Sequence, residues 1–279
     1  KSKKNLTMDN NVKLKVEELK QRGFHLSVGD VFNKSWKTFS GIAGYAILAF
    51  VLYYVITGVL NYLIGFIFPN SVLDYEELIN ALQDGDNEYV LQIFTEYGEN
   101  SSTLFSMITW IINFAFYPIY FSIYTMAYKY DKGETVQFSD IFIHYTNGKF
   151  VPIFLTSVVV YILTVLGTVF CIIPGFFVHA ILMLAVPFVL FANANVSEAI
   201  KESINVSFKN FGSFSVVLLM IFGILITGLL MCCVGLIGAV PLMFVIHYTL
   251  YKEVIGFDDD QSEIDQIGTD IYKDNPYMK

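Results

Sequence analysis

Long apolar stretches without a charged side chain are the strongest pattern in this sequence. The three longest contain no Asp, Glu, Lys or Arg, and they span residues 38–73, 150–197 and 210–251, with 36, 48 and 42 residues. An apolar helix needs about 20 residues to cross a bilayer. The first stretch therefore predicts one transmembrane helix, over about 42–68, and the other two are each long enough for a hairpin of two helices.

Turn residues mark where each hairpin reverses. Pro174 and Gly175 divide the stretch 150–197, and the segment from Cys232 to Gly235 divides the last stretch. A further apolar run over 103–128 predicts one more crossing. Together these runs predict an all-α, polytopic membrane bundle of six transmembrane helices.

A short polar segment with helical periodicity precedes each pair of predicted crossings. The first pair consists of the two single crossings, which the insert 69–102 separates. The three segments are SVGDVFNKSWKTF, TVQFSDIFIHYTNGKF and NVSEAIKESINVSFKNF, and each runs from a cap residue to a Lys and a Phe. We expect them to form amphipathic helices at the membrane interface. Phe150, Gly167 and Cys171 recur 61 residues later as Phe211, Gly228 and Cys232. Either three repeats of one unit or convergent patterning of interfacial helices explains this likeness.

The polar ends and one insert complete the predicted domain plan. Residues 1–39 form a basic N-terminal segment that ends in an interfacial helix, 40–252 form the six-helix domain, and 253–279 form an acidic tail. The first 26 residues are either a helix on anionic headgroups or a solvated terminus. The insert 69–102 carries eight carboxylates and no Lys or Arg, and its apolar positions predict two short amphipathic helices.

Basic residues lie on one side of the predicted membrane. All 17 Lys and Arg residues fall in segments 1–37, 129–149, 195–210 and 252–279, and none falls in the connections on the other side. Because basic residues accumulate in cytoplasmic loops, we expect both termini in the cytoplasm. A composition of 55% hydrophobic and 15% charged residues, with a mean hydropathy of +0.56, excludes an ordinary soluble domain.

The predicted transmembrane helices hold few groups that carry chemistry. Asn113, His179 and His247 are candidate intramembrane polar residues, and interhelical hydrogen bonding is a simpler role for them than ligand binding or a proton relay. We find no motif for a nucleophile, a phosphate loop or a metal, and so expect no catalytic, cofactor-binding or metal site. Cys171 and Cys232 are either buried thiols or, on an oxidising face, a disulfide.

The segment CIIPGFFVHAILMLAVPFVLFANANVSEAIKES resembles the membrane domain of glycerophosphoryl diester phosphodiesterases and related multi-pass bacterial membrane proteins. The resemblance is carried by Ile173, Pro174 and Gly175 at the turn, by Pro187, and by residues 197–203 of the polar helix. Some members of that family carry a fused catalytic barrel, which has no room in this chain. The resemblance implies a membrane partner or scaffold in a bacterial cytoplasmic membrane.

We therefore expect a non-enzymatic accessory or scaffold subunit that contacts membrane proteins or lipid headgroups and binds no nucleic acid. Partners would contact the acidic insert 69–102 or the cytoplasmic interfacial helices, through the candidate contact residues Glu198, Lys201, Ser203, Lys209, Trp36 and Lys37. The alternative is a transporter, channel or lipid-handling protein with an uncharged polar path. An enzyme that acts on lipids is a third hypothesis.

Overall fold

The computed structural model describes residues 8–69, 73–100, 102–170, 172–231 and 234–257, and within these ranges the chain is helical without a β-strand. The all-α prediction is therefore confirmed. The α-helices are α1 (Asn10–Arg22), α2 (Val28–Gly65), α3 (Tyr75–Asp84), α4 (Asn87–Asn100), α5 (Thr103–Asp131), α6 (Ile143–Thr146), α7 (Phe150–Phe170), α8 (Ile172–Leu182), α9 (Ala185–Phe191), α10 (Val196–Lys209), α11 (Phe211–Leu230) and α12 (Leu236–Val254), and a 3₁₀ helix, Phe138–Phe142, precedes α6.

Five helical segments are long and apolar enough to cross a membrane: Val28–Gly65, Thr103–Asp131, Phe150–Phe170, Ile173–Phe191 and Phe211–Leu230. The protein is therefore a multi-pass membrane protein. The sixth predicted crossing corresponds to α12, which is not among the five. The last part of this helix contains the polar residues His247, Lys252 and Glu253.

The first predicted interfacial helix is not a separate element. Residues 28–39 form the beginning of α2, which continues for 38 residues, or about 57 Å, and so exceeds the ~30 Å hydrocarbon layer. The Ser27 hydroxyl accepts a hydrogen bond from the Asp30 amide (3.3 Å), as expected of a helix cap. No Pro lies within α2 to end the helix between its polar and apolar parts.

The chain divides into two compact units, and residues 51–117 form the smaller one. This unit contains the acidic insert, whose two predicted amphipathic helices are α3 and α4. The Asp74 carboxylate accepts the amides of Glu76 and Glu77 at the start of α3. Gly85 ends α3 with a φ of 71°, in the left-handed region that glycine adopts without strain. The Asp86 carboxylate then accepts the Tyr89 amide and starts α4.

The larger unit, residues 1–50 and 118–279, contains both predicted hairpins, in which paired helices approach closely at glycine. α7 and α11 begin at Phe150 and Phe211, so their first residues repeat the 61-residue spacing. Gly167 lies against Gly175 in the first hairpin, and Gly228 lies against Gly235 in the second. Each pair leaves no space for a side chain between the two backbones.

The return helix of the first hairpin is broken. α8 ends at Leu182 and α9 begins at Ala185, so Met183 and Leu184 form a non-helical step. Pro187 explains this position, because its ring collides with the carbonyl of the residue four positions earlier, Met183, and its nitrogen has no hydrogen to donate. The break lies in the core, where Met183 and Leu184 are buried.

Candidate functional site

The N-terminal helix α1 packs against α10, the helix that carries most of the predicted contact residues. The apolar face of α1 is buried through Val12 and Val16. Its polar flank pairs with α10: the Lys13 ammonium lies 3.3 Å from a Glu198 oxygen, and the Lys20 ammonium lies 2.6 Å from a Glu202 oxygen. α1 is therefore held by the protein itself along this flank, and we call the paired helices the α1–α10 clamp.

Glu198 is fully engaged within this clamp. It forms a capping box with Asn195, in which each side chain accepts the other residue's amide at 3.0–3.2 Å. The same carboxylate accepts the Met8 amide at 3.0 Å. Burial alone would raise the pKa of Glu198, but these two amides and the Lys13 ammonium outweigh burial, and the pKa lies below its ordinary value. Glu198 thus orders the chain internally, and a role in binding a partner stays a prediction.

Glu202 has a similar environment on the next turn of α10. Its carboxylate accepts the Asn205 side-chain amide at 3.0 Å in addition to the Lys20 ammonium. Burial raises the pKa of Glu202, whereas the hydrogen bonds from Asn205 and Lys20 and the charges of Lys20 and Lys201 lower it more strongly. Both carboxylates of α10 are therefore ionised and already neutralised by lysines of α1.

Ser203 holds the break between α8 and α9. Its hydroxyl donates to the Ile181 carbonyl oxygen (2.8 Å) and accepts the Leu184 amide (3.2 Å). These two bonds replace helical bonds that the break removes, and a buried unpaired backbone group would cost about 1–3 kcal/mol. Ser203 is completely buried. Its predicted role as a contact for partners or lipid is therefore wrong, because the hydroxyl cannot reach the surface.

The other candidate contact residues remain at the surface. Lys201 and Lys209 are exposed on α10, and Trp36 and Lys37 are exposed in the first part of α2. The Trp36 ring stacks on Phe32 at a centroid distance of 6.5 Å. Within the described part of the chain, none of these three lysines pairs with a carboxylate. Their roles in binding stay predictions.

A groove of about 570 Å³ runs between α7 and α10. Its apolar wall consists of Val159 from α7 and of residues Val196, Ile200 and Ile204 from α10. Its polar residues are Ser197, Lys201 and Asn205. The groove thus combines an apolar floor with one positively charged side chain.

Two intramembrane histidines, which the sequence separates by 68 positions, lie side by side. The rings of His179 on α8 and His247 on α12 have a centroid distance of 6.3 Å. The Tyr124 hydroxyl lies 3.2 Å from Nδ1 of His247. Nε2 of His247 is buried without a hydrogen-bond partner among the residues that the structure describes.

Asn113 forms hydrogen bonds between and within helices of the smaller unit. Its side-chain oxygen accepts the Tyr53 hydroxyl at 3.2 Å, and its amide donates to the Thr109 carbonyl at 2.7 Å. This is the interhelical role that we expect for a polar residue in a transmembrane helix.

Charged residues at one end of the larger unit join three helices that are distant in sequence. The Asp131 carboxylate at the end of α5 accepts bonds from Thr38, Tyr248 and Lys252 at 2.8–3.0 Å. Lys34 of α2 lies 2.7 Å from Glu253 of α12. No sequence motif marked these residues, because Asp131 and Lys252 are 121 positions apart.

A second polar contact at this end lies between α5 and the segment that precedes α7. Lys129 pairs with Asp140 at 2.7 Å. The His144 ring approaches the Phe121 carbonyl at 3.2 Å, and its burial lowers its pKa to about 4, although this carbonyl raises it slightly. The Lys149 ammonium donates to the Leu190 carbonyl and so caps the end of α9. Burial lowers the pKa of Lys149.

Within the ranges that the structure describes, no group of three or more His, Cys, Asp or Glu side chains is placed to hold a metal ion. The possible disulfide partners Cys171 and Cys232 lie outside the described residues, as do the last 22 residues of the acidic tail. No protein family, curated protein or solved structure matches this chain.

Proposed function

We propose that this protein is a non-enzymatic scaffold or accessory subunit of a bacterial cytoplasmic membrane. One observation carries the proposal: several polar side chains of the helices are bonded within the protein and fix the helices. Asn113 bonds to Tyr53, the Ser203 hydroxyl holds the α8–α9 break, and Asp131 joins three helices. Such contacts suit a structural role, because intramembrane groups that carry an ion or a substrate line a water-filled cavity.

We also propose that α12 is a sixth crossing and that both termini are cytoplasmic. Nineteen helical residues extend about 28 Å, enough to span the hydrocarbon layer. The ion pair of Lys34 with Glu253 and the bonds of Asp131 to Thr38 and Lys252 bring the start of α2 to the ends of α5 and α12. A chain that starts and ends at the same end of its bundle crosses an even number of times. The one-sided distribution of Lys and Arg then puts that end in the cytoplasm.

The smaller unit offers a surface suited to a protein partner. Its helices α3 and α4 carry exposed apolar side chains at Tyr75, Ile79, Leu82, Leu91 and Phe94. Carboxylates surround this apolar stripe, and the insert contains no basic residue to neutralise them. A basic partner with an apolar patch is the complementary surface.

Site-specific photo-crosslinking in intact cells tests the scaffold proposal. A photoreactive amino acid at Leu82 should form adducts of discrete, reproducible protein mass, because this residue lies in the exposed stripe. The matched control is Ile162, which is similarly exposed but lies within the transmembrane helix α7. Discrete protein adducts at Leu82 and none at Ile162 support the proposal. The absence of protein adducts at Leu82, or the same adducts at both positions, contradicts it.

One observation favours the alternative, a transporter or lipid-handling protein. His179 and His247 face each other in the interior, and the helix of His179 breaks four residues later. Broken helices and buried polar groups recur at the binding sites of transporters. A His179→Cys variant without the three native cysteines separates the two functions. Labelling of this cysteine by a membrane-impermeant thiol reagent supports a path, and lack of labelling supports the scaffold.

A further inference from the structure

The groove between α7 and α10 is lined by one charged side chain, Lys201. Three residues of consecutive turns determine this charge: Glu198, Lys201 and Glu202. Both carboxylates form ion pairs with lysines of α1, Glu198 with Lys13 and Glu202 with Lys20. The charge of Lys201 also lowers the pKa of Glu202, but that carboxylate is paired with Lys20, and the Lys201 ammonium stays exposed.

The other polar residues of the groove leave this charge available. The Asn205 side-chain amide donates to the Glu202 carboxylate. Ser197 is exposed one turn before Lys201, on the same face of α10. Among the described residues, no carboxylate pairs with Lys201. An ammonium and a hydroxyl one helical turn apart can both donate to one anionic oxygen group such as a phosphate.

The apolar side of the groove opens towards the lipid. Val159 follows Leu155 by one turn of α7 and precedes Ile162 and Leu166 on the same face. Those three neighbours are about half exposed, although they lie in a transmembrane helix. Exposed apolar residues in such a helix face acyl chains, so Val159, Ile200 and Ile204 extend the acyl environment into the groove.

We infer that the groove between α7 and α10 binds one anionic phospholipid. The phosphate of the headgroup accepts hydrogen bonds from Lys201 and Ser197, and an acyl chain lies along Val159, Ile200 and Ile204. The inference rests on the proposed membrane placement of α10 at the cytoplasmic interface. It goes beyond a scaffold role, because it assigns a ligand of stated charge and a site of stated residues. A soluble anion has no apolar part to cover the apolar side chains of the groove. A zwitterionic lipid has no net negative charge to balance the Lys201 ammonium.

Native mass spectrometry of the full chain in a mild detergent tests the inference. Phosphatidylglycerol or phosphatidylcholine is added to delipidated protein, and the fraction with one bound lipid is measured against lipid concentration. We expect phosphatidylglycerol to bind at a single saturable site, and Lys201→Gln to weaken this binding about tenfold, as expected for the loss of a charge-assisted hydrogen bond. Lys209→Gln is the matched control, since Lys209 is an exposed lysine of the same helix outside the groove.

A second variant tests the apolar half of the site without a change of charge. Val159→Trp fills the groove from α7, and it should also weaken phosphatidylglycerol binding by several fold. The inference is overturned if Lys201→Gln and Lys209→Gln bind alike, if Val159→Trp binds as the wild type does, or if phosphatidylcholine binds equally well. Competition by soluble glycerol phosphate would also overturn it, because the ligand would then be the headgroup alone. None of these outcomes changes the crosslinking result at Leu82, so the two proposals fail independently.

Discussion

The close approach of α11 and α12 at Gly228 and Gly235 predicts the effect of adding a single methyl group. A Cβ atom at Gly235 would lie 2.7 Å from Cα of Gly228 and 2.8 Å from its carbonyl oxygen. These are backbone atoms, so no side chain can rotate away, and the two helices must separate. We expect Gly235→Ala to destabilise the protein by about 1–3 kcal/mol, as is typical of overpacking.

A glycine in the helix that Gly235 caps is the matched control. Gly238 lies three residues later in α12, and a Cβ atom there would meet nothing within 4 Å. Alanine is favoured over glycine inside a helix by up to about 1 kcal/mol, so Gly238→Ala should be neutral or stabilising. The two single-methyl variants should therefore differ by roughly 1–4 kcal/mol in opposite directions from the wild type.

Thermal unfolding of both purified variants in one mild detergent measures this difference. Gly235→Ala should have the lower Tm and Gly238→Ala a Tm equal to or above that of the wild type. The hairpin geometry would be refuted if Gly235→Ala were as stable as Gly238→Ala. Gly175→Ala extends the test to the first hairpin, where Cβ would lie 2.7 Å from Cα of Thr168. Both variants should lower the Tm of the protein, because the same close contact between helix backbones occurs in each hairpin.

Three other predictions concern the polar contacts of the larger unit. Ser203→Ala leaves the buried Leu184 amide unpaired and should cost about 1–3 kcal/mol in thermal unfolding, whereas Ser197→Ala on the exposed face should cost nothing measurable. His144 has a folded-state pKa of about 4, below the ordinary 6.5, so the folded state binds fewer protons than the unfolded state. Its contribution to stability should therefore be complete above about pH 6.5 and should fall by on the order of 3 kcal/mol towards pH 4. A His144→Gln variant that kept the whole pH dependence would contradict this. Lys20→Met removes an ion pair of the clamp and should speed proteolytic cleavage after α1, while Lys15→Met, which breaks no described ion pair, should not; equal cleavage of the two variants would show that the ion pair does not hold α1.

The crossings and hairpins were accessible from the sequence because they depend on local composition. A charge-free run of about 20 apolar residues has few stable arrangements other than a transmembrane helix. α7 begins at Phe150, directly after Lys149, and α11 begins at Phe211, directly after Asn210, where each polar lead-in ends. α2 continues through residue 40, since a helix continues wherever no residue interrupts its hydrogen bonds, and the predicted domain boundary there stays a prediction. The apolar pattern continues across the α8–α9 break and gives no sign of it, whereas Pro187 was a signal for the break in the sequence.

The candidate contacts were only partly predictable, because a periodic polar face does not identify what covers it. Glu198 and Lys201 are both charged residues of α10, yet Glu198 pairs with a lysine of α1 whereas Lys201 is exposed. Ser203 looks like a polar surface residue in the sequence, whereas the break in another helix 19 residues earlier gives it two buried partners. His179 and His247 became a pair only through the packing of α8 near α12. Such contacts depend on tertiary structure, which single-sequence patterns do not contain.

Neighbouring residues of α10 bind different elements, and this arrangement constrains how the protein can act. Glu202 binds Lys20 of α1, and the next residue, Ser203, binds Leu184 at the break. α10 is thus fixed on one side by an ion pair and on the other by a buried hydroxyl. A transport cycle that moves α9 relative to α8 would have to separate Ser203 from Leu184 and leave a buried amide unpaired in every turnover. A scaffold incurs no such cost, because all of these contacts persist. A lipid bound beside Lys201 would add to the interactions that hold α10 in place.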